Sequence, residues 1–222
     1  MEPVISDIEN KIDTYLSLPL PQRYQVFFEL ARFSERPDVD WVRFAKIKQI
    51  AFEYLSQNAI RDLDTYYAGL SSNCVNERCH ILANKVDIYV LLDNNAEIQK
   101  QLLHDIKQIY HDNNMNLSEA QSNLNIIKFY AQQVDKKVQL TAENISEINE
   151  LLKEALQISY TIPWPLLGNL LVDIASASDF FNNPAMVRSI LGRFNSLGLT
   201  KDNCDDYRQH SLECLSGKYL KQ

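Results

Sequence analysis

Between Leu117 and Val134 the apolar residues Leu117, Ala120, Leu124, Ile127, Ala131 and Val134 follow one another at steps of three, four, three, four and three. A helix brings such positions onto one face, because about 3.6 residues complete a turn, whereas a strand needs strict alternation. The rule returns at Ile98, Leu102, Ile106 and Ile109, and again at Ile145, Ile148, Leu152 and Ala155. Nowhere does apolar–polar alternation persist over a strand's length with turn signals on both sides. The chain is therefore expected to be all-α.

Start and stop signals divide it further. Ser118 with Gln121 has capping-box spacing, and Thr141 stands where the next helix would need a cap. Pro163 and Pro165 introduce a helix running to about Phe181, the most apolar of the chain and the one expected at its centre. Asn183-Pro184 combines a capping side chain with a proline suited to the first turn, and Gly198 suits the stop. Thr200 is expected to cap a last helix reaching about Leu215. Helix starts near 22, 39, 59, 77, 96, 117, 142, 164, 184 and 201 amount to nine or ten amphipathic helices, and a short segment over 5–16 precedes them. Two helices take roughly forty residues, the scale of HEAT or armadillo pairs, yet residue identity does not recur at that period. Two architectures remain: an irregular helical bundle, or an α-solenoid-like array of helix pairs. The chain is expected to form one domain over 1–222, with 112–116 and 135–140 the weak points where a two-lobed division would fall.

Charge narrows the function. Lys and Arg number 22 against 29 Asp and Glu, a formal charge of -7. Such a surface repels phosphate backbones, and the densest basic stretches, Lys46-Ile47-Lys48 and Lys136-Lys137, make no patch. Nucleic acid is thus not an expected partner. No apolar run approaches the roughly 18 residues of a membrane span. Met1–Asp7 has neither a basic start nor an apolar core, so the expectation is a cytoplasmic chain with free thiols.

The candidate chemistry is sparse. Cys74, Cys79 and His80 at one end, and Cys204, His210 and Cys214 at the other, include zinc-ligand types, but no Cys-x-x-Cys pair joins them. A cysteine nucleophile would need a neighbouring histidine, which His210 and Cys214 supply at helical spacing. The pairs Asp62/Asp64, Glu150/Glu154 and Asp205/Asp206 suit solvated helix faces, and His-Glu-x-x-His is missing. With 5 glycines, no phosphate-cradling loop is present. No catalytic residue, metal or cofactor is assigned. Asp173, on the most apolar helix, must find a partner if buried, whether as a buttress to an arginine or loop N–H or as a pocket wall. Asn169, one turn earlier, shares its face. Tyr66-Tyr67, Phe27-Phe28 and Phe180-Phe181 are paired aromatics on helices, and one of each pair must point away from the core. Tyr66 and Tyr67 are the expected partner contacts, since exposed aromatics anchor protein interfaces.

The segment Tyr207–Gln222, with Glu213, then small and polar residues, then Leu220, resembles the C-terminal secretion signal of type IV effector substrates from intracellular bacteria. That resemblance implies delivery into a host cell and says nothing of activity. The expected function is non-enzymatic: a scaffold or adaptor binding another protein through helix-borne aromatics. The alternative is a translocated bacterial effector with a cryptic enzymatic or ligand-binding site on a helical fold.

Overall fold

A computed structural model describes residues 59–92 and 95–220, together with 10, 14 and 17–19. The described residues form eight α-helices and no strand. They are α1 (59–69), α2 (Val75–Leu92), α3 (Ala96–Asp112), α4 (Asn116–Asp135), α5 (Ala142–Ile158), α6 (Trp164–Phe180), α7 (Pro184–Ser196) and α8 (Asp206–Tyr219). Short 3₁₀ turns stand at Ser159–Thr161 and Lys201–Asn203. Eight helices stand among the described residues, against nine or ten expected for the whole chain; those expected to start near 5, 22 and 39, with Phe27-Phe28, lie outside the described residues. No described helix is long and apolar enough to cross a membrane. The chain divides into two compact units, Met1–Ile106 and Lys107–Gln222, and the division falls inside α3.

In the first unit α1 and α2 run antiparallel, tied by two polar links. Arg78 Nη2 donates to Tyr67 Oη at 2.7 Å, and Lys85 Nζ pairs with Asp64 at 2.7 Å. Leu63, Cys79, Ile81, Leu82 and Ile88 are buried.

The second unit is organised around α6, which packs against α4, α5, α7 and α8. Its residues Leu167, Leu170, Leu171, Val172, Ile174 and Ala175 are all buried, as a helix apolar on nearly every side must be. The sequence expectation of a central helix here is met within this unit. In α4, Ala120, Ile126, Ile127, Phe129 and Tyr130 are buried.

Four helices of the unit stop in the same way. After α3, Asn114 N–H reaches His111 O and Met115 N–H reaches Tyr110 O. The pattern repeats after α4 at Lys137 and Val138, after α6 at Asn182 and Asn183, and after α7 at Gly198 and Leu199. This is the Schellman stop, which satisfies two orphan carbonyls and needs a left-handed residue. The φ values are 56° at Asn114, 63° at Lys137, 55° at Asn182 and 66° at Gly198. Only the last was legible as a glycine.

Caps meet expectation at Thr141, whose side chain accepts from Asn144 N–H, and at Asn183, which accepts from Met186 N–H. Two others need correction. Ser118 is no cap: α4 starts at Asn116 with Met115 before it, because Met115 also closes the stop of α3. Thr200 opens only the 3₁₀ turn, where its N–H donates to Asn203 Oδ1 at 2.8 Å. The last helix starts later, at Asp206, and is capped by Asp205, which accepts from Arg208 N–H at 3.0 Å.

Candidate functional site

The site is built from one row of α6. Gly168 lets the 3₁₀ turn approach: a Cβ there would lie 2.4 Å from the carbonyl oxygen of Asn203. On the next residue, Asn169 Oδ1 accepts from Asp205 N–H at 3.0 Å. One turn on, Asp173 takes the Arg208 guanidinium in a fork, Nε to Oδ1 at 2.7 Å and Nη2 to Oδ2 at 2.7 Å. Arg208 Nη1 turns to Asp205. A planar guanidinium matches a carboxylate in this way, with direction as well as charge. Both partners are half-buried. Hydrogen bonding to Asp173 raises the Arg208 pKa above its ordinary value, against the pull of burial. The Arg208 backbone N–H is the main reason the Asp205 carboxyl lies below the ordinary range. Asp173 is thus an arginine buttress and, through the cavity below, also a wall.

A second clasp lies further along α6. Asp179 Oδ1 accepts from Lys218 Nζ at 2.6 Å and from the Tyr219 hydroxyl. Burial raises the Asp179 pKa, but the bonds from Lys218 and Tyr219 outweigh it and hold the carboxyl below its usual value. Arg188 of α7 stands 5.9 Å from the Tyr219 ring centroid.

Between α4, α6 and α8 runs an open groove of about 490 Å³. Gln121, Asn125 and Lys128, successive turns of one α4 face, form one wall. Asp173, Ser176 and Phe180 from α6 and Tyr207, Arg208 and Ser211 from α8 form the other. Leu124, Ile127 and Ala131 line it too, so half of the apolar stripe that marked α4 as a helix faces the groove. The rim is aromatic: Phe180 is 51% and Tyr207 78% exposed. Phe181 is half-buried and stands edge-on to Phe180 at 4.9 Å.

Asn169 and Asp173 come together on this site. Tyr66 and Tyr67 belong to the other unit, where Tyr66 is exposed and Tyr67 is half-buried under Arg78, 5.0 Å from the ring centroid. Sequence reasoning passed over Lys128, Tyr207 and Arg208; the half of the signal it did hold was the Phe180-Phe181 doublet.

The thiols are scattered. Cys79 and Cys204 are buried, Cys74 is half-buried, and Cys214 is exposed with Sγ 3.8 Å from His210 Nε2. Burial, then the Asp205 charge, pushes the Cys204 thiol up and away from thiolate chemistry. Glu77 and His80 on α2 do have Glu-x-x-His spacing, which a di-metal site uses twice and the chain has once. Among the described residues no three His, Cys, Asp or Glu are grouped to hold a metal ion.

No known protein family, no curated protein and no solved structure matches this chain.

Proposed function

We propose that the Lys107–Gln222 unit is a non-enzymatic binding module that holds a segment of another protein in the groove between α4, α6 and α8. One observation carries the reading. The groove is rimmed by two exposed aromatics, Phe180 and Tyr207, while its acid and its strongest cation, Asp173 and Arg208, are bound to each other. A general acid or base must be free to exchange a proton with its substrate, and this pair is occupied as structure. Rigid, half-wet aromatic rings are what interfaces use as anchors. A groove of about 490 Å³ falls within the size range of ligand sites and has room for a few side chains. Two helix hairpins, α4–α5 and α6–α7, with α8 laid against the second, are also how helix-pair proteins make such clefts. In this reading Tyr66, 42% exposed on α1, marks a second contact surface.

The test is a photo-crosslinking residue at Ser176, inside the groove, in the full chain incubated with bacterial and with eukaryotic lysate. The expected result is one protein adduct that disappears in the Phe180→Ala/Tyr207→Ala variant and survives Tyr66→Ala. An adduct indifferent to the groove pair but lost on Tyr66→Ala would move the interface to α1. No protein adduct above that of a crosslinker at exposed Lys153 would remove the binding reading, and the groove would then be assayed for small ligands.

A further inference from the structure

We infer that the segment taken by this groove is acidic: a carboxylate side chain next to an aromatic or aliphatic one. This rests on the groove being the binding site, as proposed above. It follows from the charges that the groove leaves unused.

Lys128 is exposed on the α4 wall and has no ion-pair partner among the described residues. Across the groove, Arg208 has five N–H groups. Three are engaged, two by Asp173 and one by Asp205, so two donors remain on a guanidinium that lines the cavity. Arg208 is balanced by Asp173 and Asp205, so the charge that no carboxylate takes up is the Lys128 ammonium, in a chain whose formal charge is -7. Gln121 and Asn125 add carboxamides on the Lys128 wall, and these can donate to an anion without competing for charge. Around this polar line lie Leu124, Ile127 and the two rim rings.

The sign of the ligand follows from complementarity. A basic segment would meet Lys128 with nothing to offer the already paired Asp173. A phosphoryl group, close to doubly charged, would have to come near Asp173 and Asp205, the two carboxylates that hold Arg208. A single carboxylate meets one ammonium and the spare guanidinium donors, while its apolar neighbour covers the stripe and the rim.

The experiment selects random peptides displayed on phage against the full chain, then measures the recovered peptides by fluorescence anisotropy. The expected peptides are enriched in Asp or Glu beside Phe, Tyr, Trp or Leu. Lys128→Glu weakens them roughly tenfold, Lys128→Arg keeps them within about twofold, and neither changes the melting temperature. Replacing the acidic residue by its amide costs the wild-type protein a similar factor and leaves Lys128→Glu unaffected. Three outcomes overturn the inference while leaving the groove in place. They are groove-dependent peptides without acidic enrichment, equal binding by Lys128→Glu, and tighter binding of phosphoserine than of glutamate at the same position. If no recovered peptide loses affinity in the Phe180→Ala/Tyr207→Ala variant, the groove reading itself fails.

Discussion

α5 and α8 belong to the same unit, and they are attached by opposite means. α5 lays Ile148, Leu151, Leu152 and Ala155 into the core, all buried on one stripe. α8 buries only Leu212 and Leu215. What fixes it instead is Asn169 and Asp173 near its start and Asp179 near its end, all side chains of α6. Apolar burial depends little on pH or ionic strength, whereas exposed ion pairs depend on both. The groove has α8 for a wall. The groove proposed as a binding surface is thus built on the part of the unit whose attachment is conditional.

The difference can be broken from either side. The largest effect is expected on the apolar side. Leu152→Ala removes a fully buried side chain from α5 and should cost about 2–5 kcal/mol, read as a lower denaturant midpoint with unchanged slope. A cost under half of that would mean that α5 contributes no more than α8. Next comes Gly168→Ala, whose methyl would strike a backbone oxygen rather than a yielding side chain. Displacing the 3₁₀ turn should cost roughly 1–3 kcal/mol, and hydrogen exchange should speed up in α8 before α5. Equal acceleration in both helices would show that α8 has no separate opening.

Asp173→Asn should cost about 1–2 kcal/mol, between the values for exposed and buried pairs, since both partners are half-buried. The loss should again appear in α8 amides and leave those of α5 unchanged. The smallest effect is that of acid. Asp179 has its carboxyl depressed in the folded chain, so its clasp stabilises fully above the ordinary value of 3.8 and fades as pH falls below it. Asp205, also depressed, acts in the same direction. Exchange in α8, corrected for intrinsic rates, should therefore rise as pH falls below about 4 relative to α5. A parallel change in both would place the acid sensitivity elsewhere in the unit.

Periodicity made the apolar side of this comparison legible. The seven helix starts expected from residue 77 onward are all found, with the last displaced to Asp206. Stripes did not say what would cover them: Leu124 and Ala131, placed by spacing on one face of α4, line the groove, while Ile145 on the α5 stripe is exposed. The polar side was legible only in part. Asp173 announced itself as a carboxylate in an apolar run. Its partner lies 35 residues away, in a helix with no apolar stripe to fix its facing, so Arg208 could not be singled out. Tyr207 was hidden for the same reason.

The four helix stops carry a consequence for how this unit tolerates change. Each demands a left-handed residue, yet glycine fills only one, with Asn114, Lys137 and Asn182 in the others. Asparagine accepts that geometry readily; lysine does so at a cost on the order of 1 kcal/mol. All four joints lie at the ends of helices, and none is among the residues lining the groove. The unit thus holds a reserve of stability at its corners, separate from the groove. A substitution in the groove that costs stability can be offset by glycine at one of those corners, which leaves the lining residues untouched.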